Sequence, residues 1–327
     1  MTMPFALSAS ASARADLPLA VGPAISASFG FKGTPMFIAT LIAADRISGG
    51  ELSSAEDALR DAGIEPRGRS WVEADIACDL LFSGSPDRAR IALEGLIPRT
   101  DVVVQGEAAR RKRLLVSDMD STMITVECID ELADYAGLKK EVAEVTDRAM
   151  RGEIRFEDSL MARVALLEGL DEVLVGRCYD ERVQMAPGAE ALVRTMKRDG
   201  AYCLLVSGGF SSFADRVAAA LGFDRAVSNS LPVEGGRLTG TVPGPIVGAE
   251  TKRRALLDTA AEQGVELADT LAVGDGANDI PMIEAAGLGV AYHAKPIVAT
   301  AAGARIEHGD LTALLYAQGY SRDEWAV

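Results

Sequence analysis

The sequence predicts an α/β fold: a parallel sheet with a helical insertion after its first strand, preceded by a smaller α+β module of ferredoxin-like plan. Three observations carry this. Leu114-Leu115-Val116, Cys203-Leu204-Leu205-Val206 and Leu271-Ala272-Val273 are short unbroken apolar runs, as strands buried on both faces require. Each run ends abruptly in polar residues: Ser117-Asp118-Met119-Asp120-Ser121-Thr122, Ser207-Gly208-Gly209 and Gly274-Asp275-Gly276-Ala277-Asn278-Asp279. Helical patterns separate the runs, while residues 36–107 carry a strand–helix alternation of their own.

Taken in order, residues 1–34 are rich in Ala, Ser, Gly and Pro and are expected to form a disordered tail. They lack the basic stretch before an apolar one that a targeting peptide needs. Met36 opens the first convincing strand, which makes it an alternative start of translation. Phe37–Ala43 reads as a strand, and Ser53–Ala62 as a helix begun by Ser53/Ser54 and stopped at Gly63. Ser70–Phe82 holds one or two strands, Asp87–Leu96 a helix and Asp101–Gln105 a strand. This β-α-β-β-α-β order, over a module placed at 35–107, is the split-βαβ plan and resembles that of ACT-type regulatory domains. No cluster of catalytic residue types lies in it, so it is expected to be a regulatory module, a structural appendage or a dimerisation module. Glu107–Arg113 is the junction to a second unit, 108–327. Residues from about 128 to 186 are almost wholly helical in pattern, as at Glu131–Ala136 and Phe156–Leu167, and are expected to cap the strand ends. Ala189–Arg198, Phe213–Leu221 and Thr251–Gln263 follow as helices, and 226–242 as a β-hairpin turning at Gly235-Gly236.

Composition narrows the chemistry. The 327 residues include 33 basic and 48 acidic side chains, a net charge of −15 that argues against wrapping nucleic acid. A small phosphorylated substrate remains compatible, since one metal and one or two cations can meet its charge. No run of ~18 apolar residues is present, so no membrane partner is expected. The four cysteines, Cys78, Cys128, Cys178 and Cys203, form no C-x-x-C pair and read as buried thiols of a reducing, cytoplasmic compartment. A Ser-His-Asp hydrolase or a His-rich zinc site would have to be built from the only two histidines, His293 and His308, and neither sits in a suitable motif. His293 is expected to be a hydrogen-bonded structural residue, and Cys128, without a basic neighbour, an unreactive thiol. The chemistry must therefore run on carboxylates, lysine, hydroxyls and backbone amides.

Ligands of open α/β sheets bind beyond the carboxyl ends of the strands, where all three polar clusters fall. Asp118 and Asp120 repel each other unless a cation lies between them or one holds a proton. With Asp275 they offer hard oxygen donors suited to Mg²⁺, and the lack of histidine or thiolate donors disfavours zinc. One carboxylate can attack phosphorus, and a second can protonate the leaving alkoxide and then activate water. The equatorial phosphoryl oxygens call for a lysine, a hydroxyl and aimed amides. Lys252 and Ser207 are candidates, although a solvated lysine and a plain strand-to-helix turn would look the same alone.

Together the motifs resemble the phosphoserine phosphatases of the haloacid dehalogenase superfamily. The matching residues are Asp118-Met119-Asp120-Ser121-Thr122, Glu127, Met150, Phe156 through Arg163, Ser207-Gly208-Gly209-Phe210, Lys252 and Gly274 through Asp279, within roughly 113–315. The resemblance implies a Rossmann-like sheet with a helical cap, and hydrolysis of O-phospho-L-serine to L-serine and phosphate through an aspartyl-phosphate. It implies Asp118 as nucleophile, Asp120 as general acid/base, and Mg²⁺ held by Asp118, the Asp120 carbonyl and Asp275. Ser207, Gly208 and Lys252 would bind the phosphoryl group, Asn278 would support it, and Asp279 would orient Lys252 or metal-bound water. Glu127 would meet the substrate ammonium and Arg163 its carboxylate, with Met150 and Phe156 as an apolar wall. The alternatives are another phosphatase or phosphotransferase on the same scaffold, or a non-catalytic amino-acid-binding regulator. A homodimer through the first module is a further expectation.

Overall fold

The computed structural model describes residues 36–150 and 153–326. The expected tail at 1–34 and the side chain of Met150 lie outside the described residues. The chain opens with β1 (Met36–Ala43), α1 (Gly49–Asp61), β2 (Pro66–Glu73), β3 (Ala77–Ser83), α2 (Pro86–Leu93) and β4 (Thr100–Gly106). β1 pairs antiparallel with β3 and β4, and β2 with β3, so the strand order is β2-β3-β1-β4. Helix α1 starts before Ser53. Ser48 caps it by accepting the Glu51 amide, while the Glu51 carboxylate accepts the Ser48 amide. Ser53 and Ser54 instead donate back to the carbonyls of Gly49 and Gly50. Ser70–Phe82 contains the end of β2 and most of β3, and α2 stops at Leu93 rather than Leu96.

Beyond the junction come β5 (Leu114–Ser117) and four helices, α3 (Cys128–Tyr135), α4 (Lys139–Met150), α5 (Phe156–Ala165) and α6 (Val173–Arg182). Then follow α7 (Ala189–Arg198), β6 (Tyr202–Phe210), α8 (Ser211–Leu221), β7 (Arg225–Asn229), β8 (Val233–Glu234) and β9 (Arg237–Leu238). The chain continues through α9 (Ala249–Gln263), β10 (Thr270–Gly274), α10 (Ile280–Ala285), β11 (Leu288–Tyr292), α11 (Pro296–Ala301), β12 (Ala304–Ile306) and α12 (Ala313–Ala317). Strands β12, β11, β10, β5, β6 and β7 lie side by side and parallel. Alternate residues serve two cores: Leu115, Cys203, Leu205, Leu271 and Val273 on one face, Leu114, Val116, Leu204, Val206 and Ala272 on the other. The apolar runs are unbroken because both faces are covered. The stretch 226–242 is only partly a hairpin: β7 joins the parallel sheet, and the hairpin is the short β8–β9 pair.

The sequence gives no sign of how the first module meets the rest. β4 lies antiparallel to β12, with Val102 opposite Arg305, which makes one sheet of ten strands. The Asp101 carboxylate accepts from three successive amides, those of Glu307, His308 and Gly309, at 2.8–3.3 Å. Gln105 Nε2 donates to the Ala317 carbonyl at 2.7 Å. Arg110 donates to the carbonyls of Tyr316 and Ala317 while pairing with Asp79 at 2.7 Å. Most of these partners are backbone groups, which no side-chain motif announces. No helix among the described residues is long and apolar enough to cross a membrane.

Candidate active site

The ends of β5, β6 and β10 meet beneath α3 and α5 around a cavity of about 720 Å³. It is lined by Asp118, Asp120, Glu127, Phe156, Arg163, Gly208, Asp275 and Asn278, among others. At its floor, Lys252 on α9 is fully buried and touches two carboxylates, Asp118 Oδ1 and Asp279 Oδ1, each at 2.7 Å. Asp279 Oδ2 accepts from the Gly276 amide at 3.0 Å, and Asp118 Oδ1 from the Met119 amide at 2.7 Å. Burial alone would pull the lysine down, but Asp118 and Asp279 outweigh it and hold its ammonium above the ordinary value. Lys252 is no solvated surface residue.

Asp120 stands apart from this pair. Its Oδ1 accepts from the Cys128 amide at the start of α3 (2.8 Å), and its Oδ2 from the Ser207 hydroxyl (3.2 Å). Burial raises its pKa, against the pull of these donors. Ser207 Oγ in turn accepts the Gly209 amide at 2.8 Å. A Cβ at Gly209 would stand 2.9 Å from Asp120 Oδ2 and 3.0 Å from Ser207 Oγ, so only glycine lets β6 end this close. Gly274 is similarly confined, its absent Cβ lying 2.4 Å from the Asp279 carboxyl carbon.

Oxygens of Asp118, Asp275 and Asp279 lie within 4.8 Å of one another. Burial and Asp279 push Asp275 up to about 6, and burial and Asp279 also raise Asp118 despite Lys252. One lysine cannot neutralise these acids together with Asp120. Among the described residues no histidine joins the cluster, and burial and Asp120 hold the Cys128 thiol far above its ordinary value, so it offers no thiolate. The donor set therefore fits a hard divalent cation. The cluster includes the Asp279 carboxylate and not that of Asp120, which is turned toward Cys128 and Ser207.

Glu127, the N-cap residue of α3, faces the cavity and accepts the Ser121 hydroxyl at 2.7 Å. Ser121 holds the left-handed conformation (φ 54°) that brings its hydroxyl there. Partial desolvation in the cavity and the nearby Asp120 push Glu127 up to about 7, although the residue as a whole stays exposed at the cavity mouth. Arg163, half-buried on α5, donates Nε to the Ser159 carbonyl at 3.4 Å. Burial lowers its pKa, opposed by Asp130, Glu127 and Asp120. Phe156 approaches Gly208, whose absent Cβ would be 3.2 Å from its ring.

Three participants escaped the sequence reading. Asn229, 3% exposed, donates to the Gly208 carbonyl at 2.8 Å and accepts the Val247 amide at 2.9 Å, tying β7 to the end of β6 that borders the cavity. Asp130 and Lys295 also line the cavity. An asparagine ending a strand was the one available signal for the first; the others look like ordinary helix and loop charges. His293 lies outside the cavity lining, its Nε2 2.9 Å from the Gly309 carbonyl, and all four cysteines are free and buried.

The comparisons agree with this geometry. Residues 115–284 match the haloacid dehalogenase-like hydrolase family. A phosphoserine phosphatase of Albidiferax ferrireducens is 48% identical over 223 residues, 65% of this chain and 94% of the relative. One of Streptomyces coelicolor is 48% identical over 241 residues, 73% of this chain but 58% of the longer relative. The crystal structure of a probable phosphoserine phosphatase from Vibrio cholerae superposes with a TM-score of 0.71 at 34% identity, covering 89% of this chain and 88% of that one. This chain is thus a phosphatase of the haloacid dehalogenase-like hydrolase family, grouped within it with the phosphoserine phosphatases.

Proposed function

We propose that this chain hydrolyses O-phospho-L-serine to L-serine and phosphate, the last step of serine biosynthesis, in the cytoplasm. The observation that carries the reading is the pairing of Glu127 and Arg163, one anion and one cation, in the same cavity as Asp118 and Asp120. A phosphoserine ester brings an ammonium and a carboxylate to those two charges. Asp118 attacks phosphorus; the P–O bond to serine breaks, and the departing alkoxide takes the proton from Asp120. Asp120 then removes a proton from water, whose oxygen displaces Asp118 from phosphorus and releases phosphate. Ser207, the Gly208 amide and Lys252 bind the phosphoryl oxygens, Asn278 supports them, and Asp279 keeps Lys252 in place.

Mg²⁺ is the cation we propose for this site, where Asp118, the Asp120 carbonyl and Asp275 would hold it. When bound it supplies charge neutralisation at the phosphoryl group. Phe156 supplies an apolar wall, with the helices α3–α6 as a cap. Residues 35–107 form an ACT-like module whose role is regulation by serine or dimerisation, and 108–327 the phosphatase unit. The reading is tested with Arg163→Ala. Turnover of O-phospho-L-serine should fall about 100-fold while that of p-nitrophenyl phosphate, which has neither charge to pair, stays near wild type. Equal losses on both would sink the pocket assignment.

A further inference from the structure

We infer that Asp130 is a positioning residue for Arg163, fixing the guanidinium that receives the substrate's carboxylate; the inference rests on the phosphoserine reading above. Asp130 stands on the first turn of α3, one turn beyond Glu127, and both face the cavity with Arg163. An acid at this place ordinarily serves the helix end, through the dipole or by returning to the N-cap amide. The Oδ1 of Asp130 makes no such return bond. It is sealed from solvent and has no hydrogen-bond partner among the described residues. Buried acceptors are nearly always paired, so an orphan beside a binding cavity marks a partner that arrives during function.

Arg163 is the complementary orphan. Its described bond is the long one from Nε to Ser159 of its own helix, which leaves most of the guanidinium fork uncommitted. Asp130, with Glu127 and Asp120, is among the acids whose charge reaches it. Glu127 already holds the Ser121 hydroxyl on Oε1. A guanidinium offers five N–H groups in a planar fork, enough for a bidentate carboxylate on one edge and one acceptor on another. Asp130 takes that second edge and stops the fork from rotating. Simple charge repulsion makes the opposite forecast: removing an acid beside the pocket should help an anionic ligand bind.

The experiment uses Asp130→Asn and Asp130→Ser in the full chain, with Asn keeping the shape and Ser covering the case in which it misfolds. Turnover is measured for O-phospho-L-serine and p-nitrophenyl phosphate. Inhibition constants are measured for phosphoglycolate, which has only the carboxylate, and phosphoethanolamine, which has only the ammonium. The expected result is a loss of about 10- to 100-fold in kcat/KM for phosphoserine and in phosphoglycolate binding, with the other two near wild type. In an Arg163→Ala background Asp130→Asn should add nothing. Equal losses for all four compounds, an effect that persists without Arg163, unchanged phosphoserine turnover or tighter phosphoglycolate binding would each overturn the proposal. A wild-type enzyme with no preference for phosphoserine over p-nitrophenyl phosphate would overturn the reading beneath it, and the proposal with it.

Discussion

Asp275 and Lys252 set the charge balance at the strand ends, and each could be assigned a role from the motif but not an environment. Lysine followed by two arginines looks like a solvated patch, yet Lys252 is fully buried between two carboxylates. Asp275 is raised to about 6 by burial and Asp279. A carboxyl whose folded pKa exceeds its unfolded one keeps its proton longer in the native state. The stability it contributes is therefore present at low pH and lost as pH rises through about 6. In chelator, wild type should lose on the order of 2 kcal/mol relative to Asp275→Asn between about pH 4.5 and 7.5, read from urea melts. Excess Mg²⁺ should remove most of that difference. A wild type that gains stability on Asp275→Asn over this window would contradict the charge balance.

At the scale of elements, the parallel strands were legible because apolar runs buried on both faces leave a continuous hydrophobic signature. Helix boundaries were less so: α1 begins at the Ser48–Glu51 capping box, upstream of the serine pair that mimics one. The end of β6 carries the tightest local constraint. Gly209 leaves no room between Asp120, Ser207 and Met119, so Gly209→Ala should shift the Asp120 and Ser207 oxygens together. Turnover should fall about 100-fold on O-phospho-L-serine and p-nitrophenyl phosphate alike, with the melting temperature changed by only a few degrees. A loss confined to phosphoserine would place the damage in the Glu127–Arg163 pocket instead.

Across the whole molecule, the first module is not a loose appendage but four strands of a ten-stranded sheet. The sequence could not announce this, because Asp101, Gln105 and Arg110 reach largely for backbone groups of the C-terminal segment. Asp101→Ala would strand three amides at the joint and should cost about 1–3 kcal/mol, seen as a lower urea midpoint with active-site residues untouched. An unchanged midpoint would mean the joint contributes little to stability. The central claim is that one cavity unites aspartate chemistry with a phosphoserine-reading pair. Its most direct test is phosphate release from O-phospho-L-serine, with and without Mg²⁺, beside p-nitrophenyl phosphate and phosphothreonine. Strong preference for phosphoserine, abolished by chelation and restored by Mg²⁺, is the expected result. Equal or faster release from the other esters, or turnover indifferent to chelation, would contradict it.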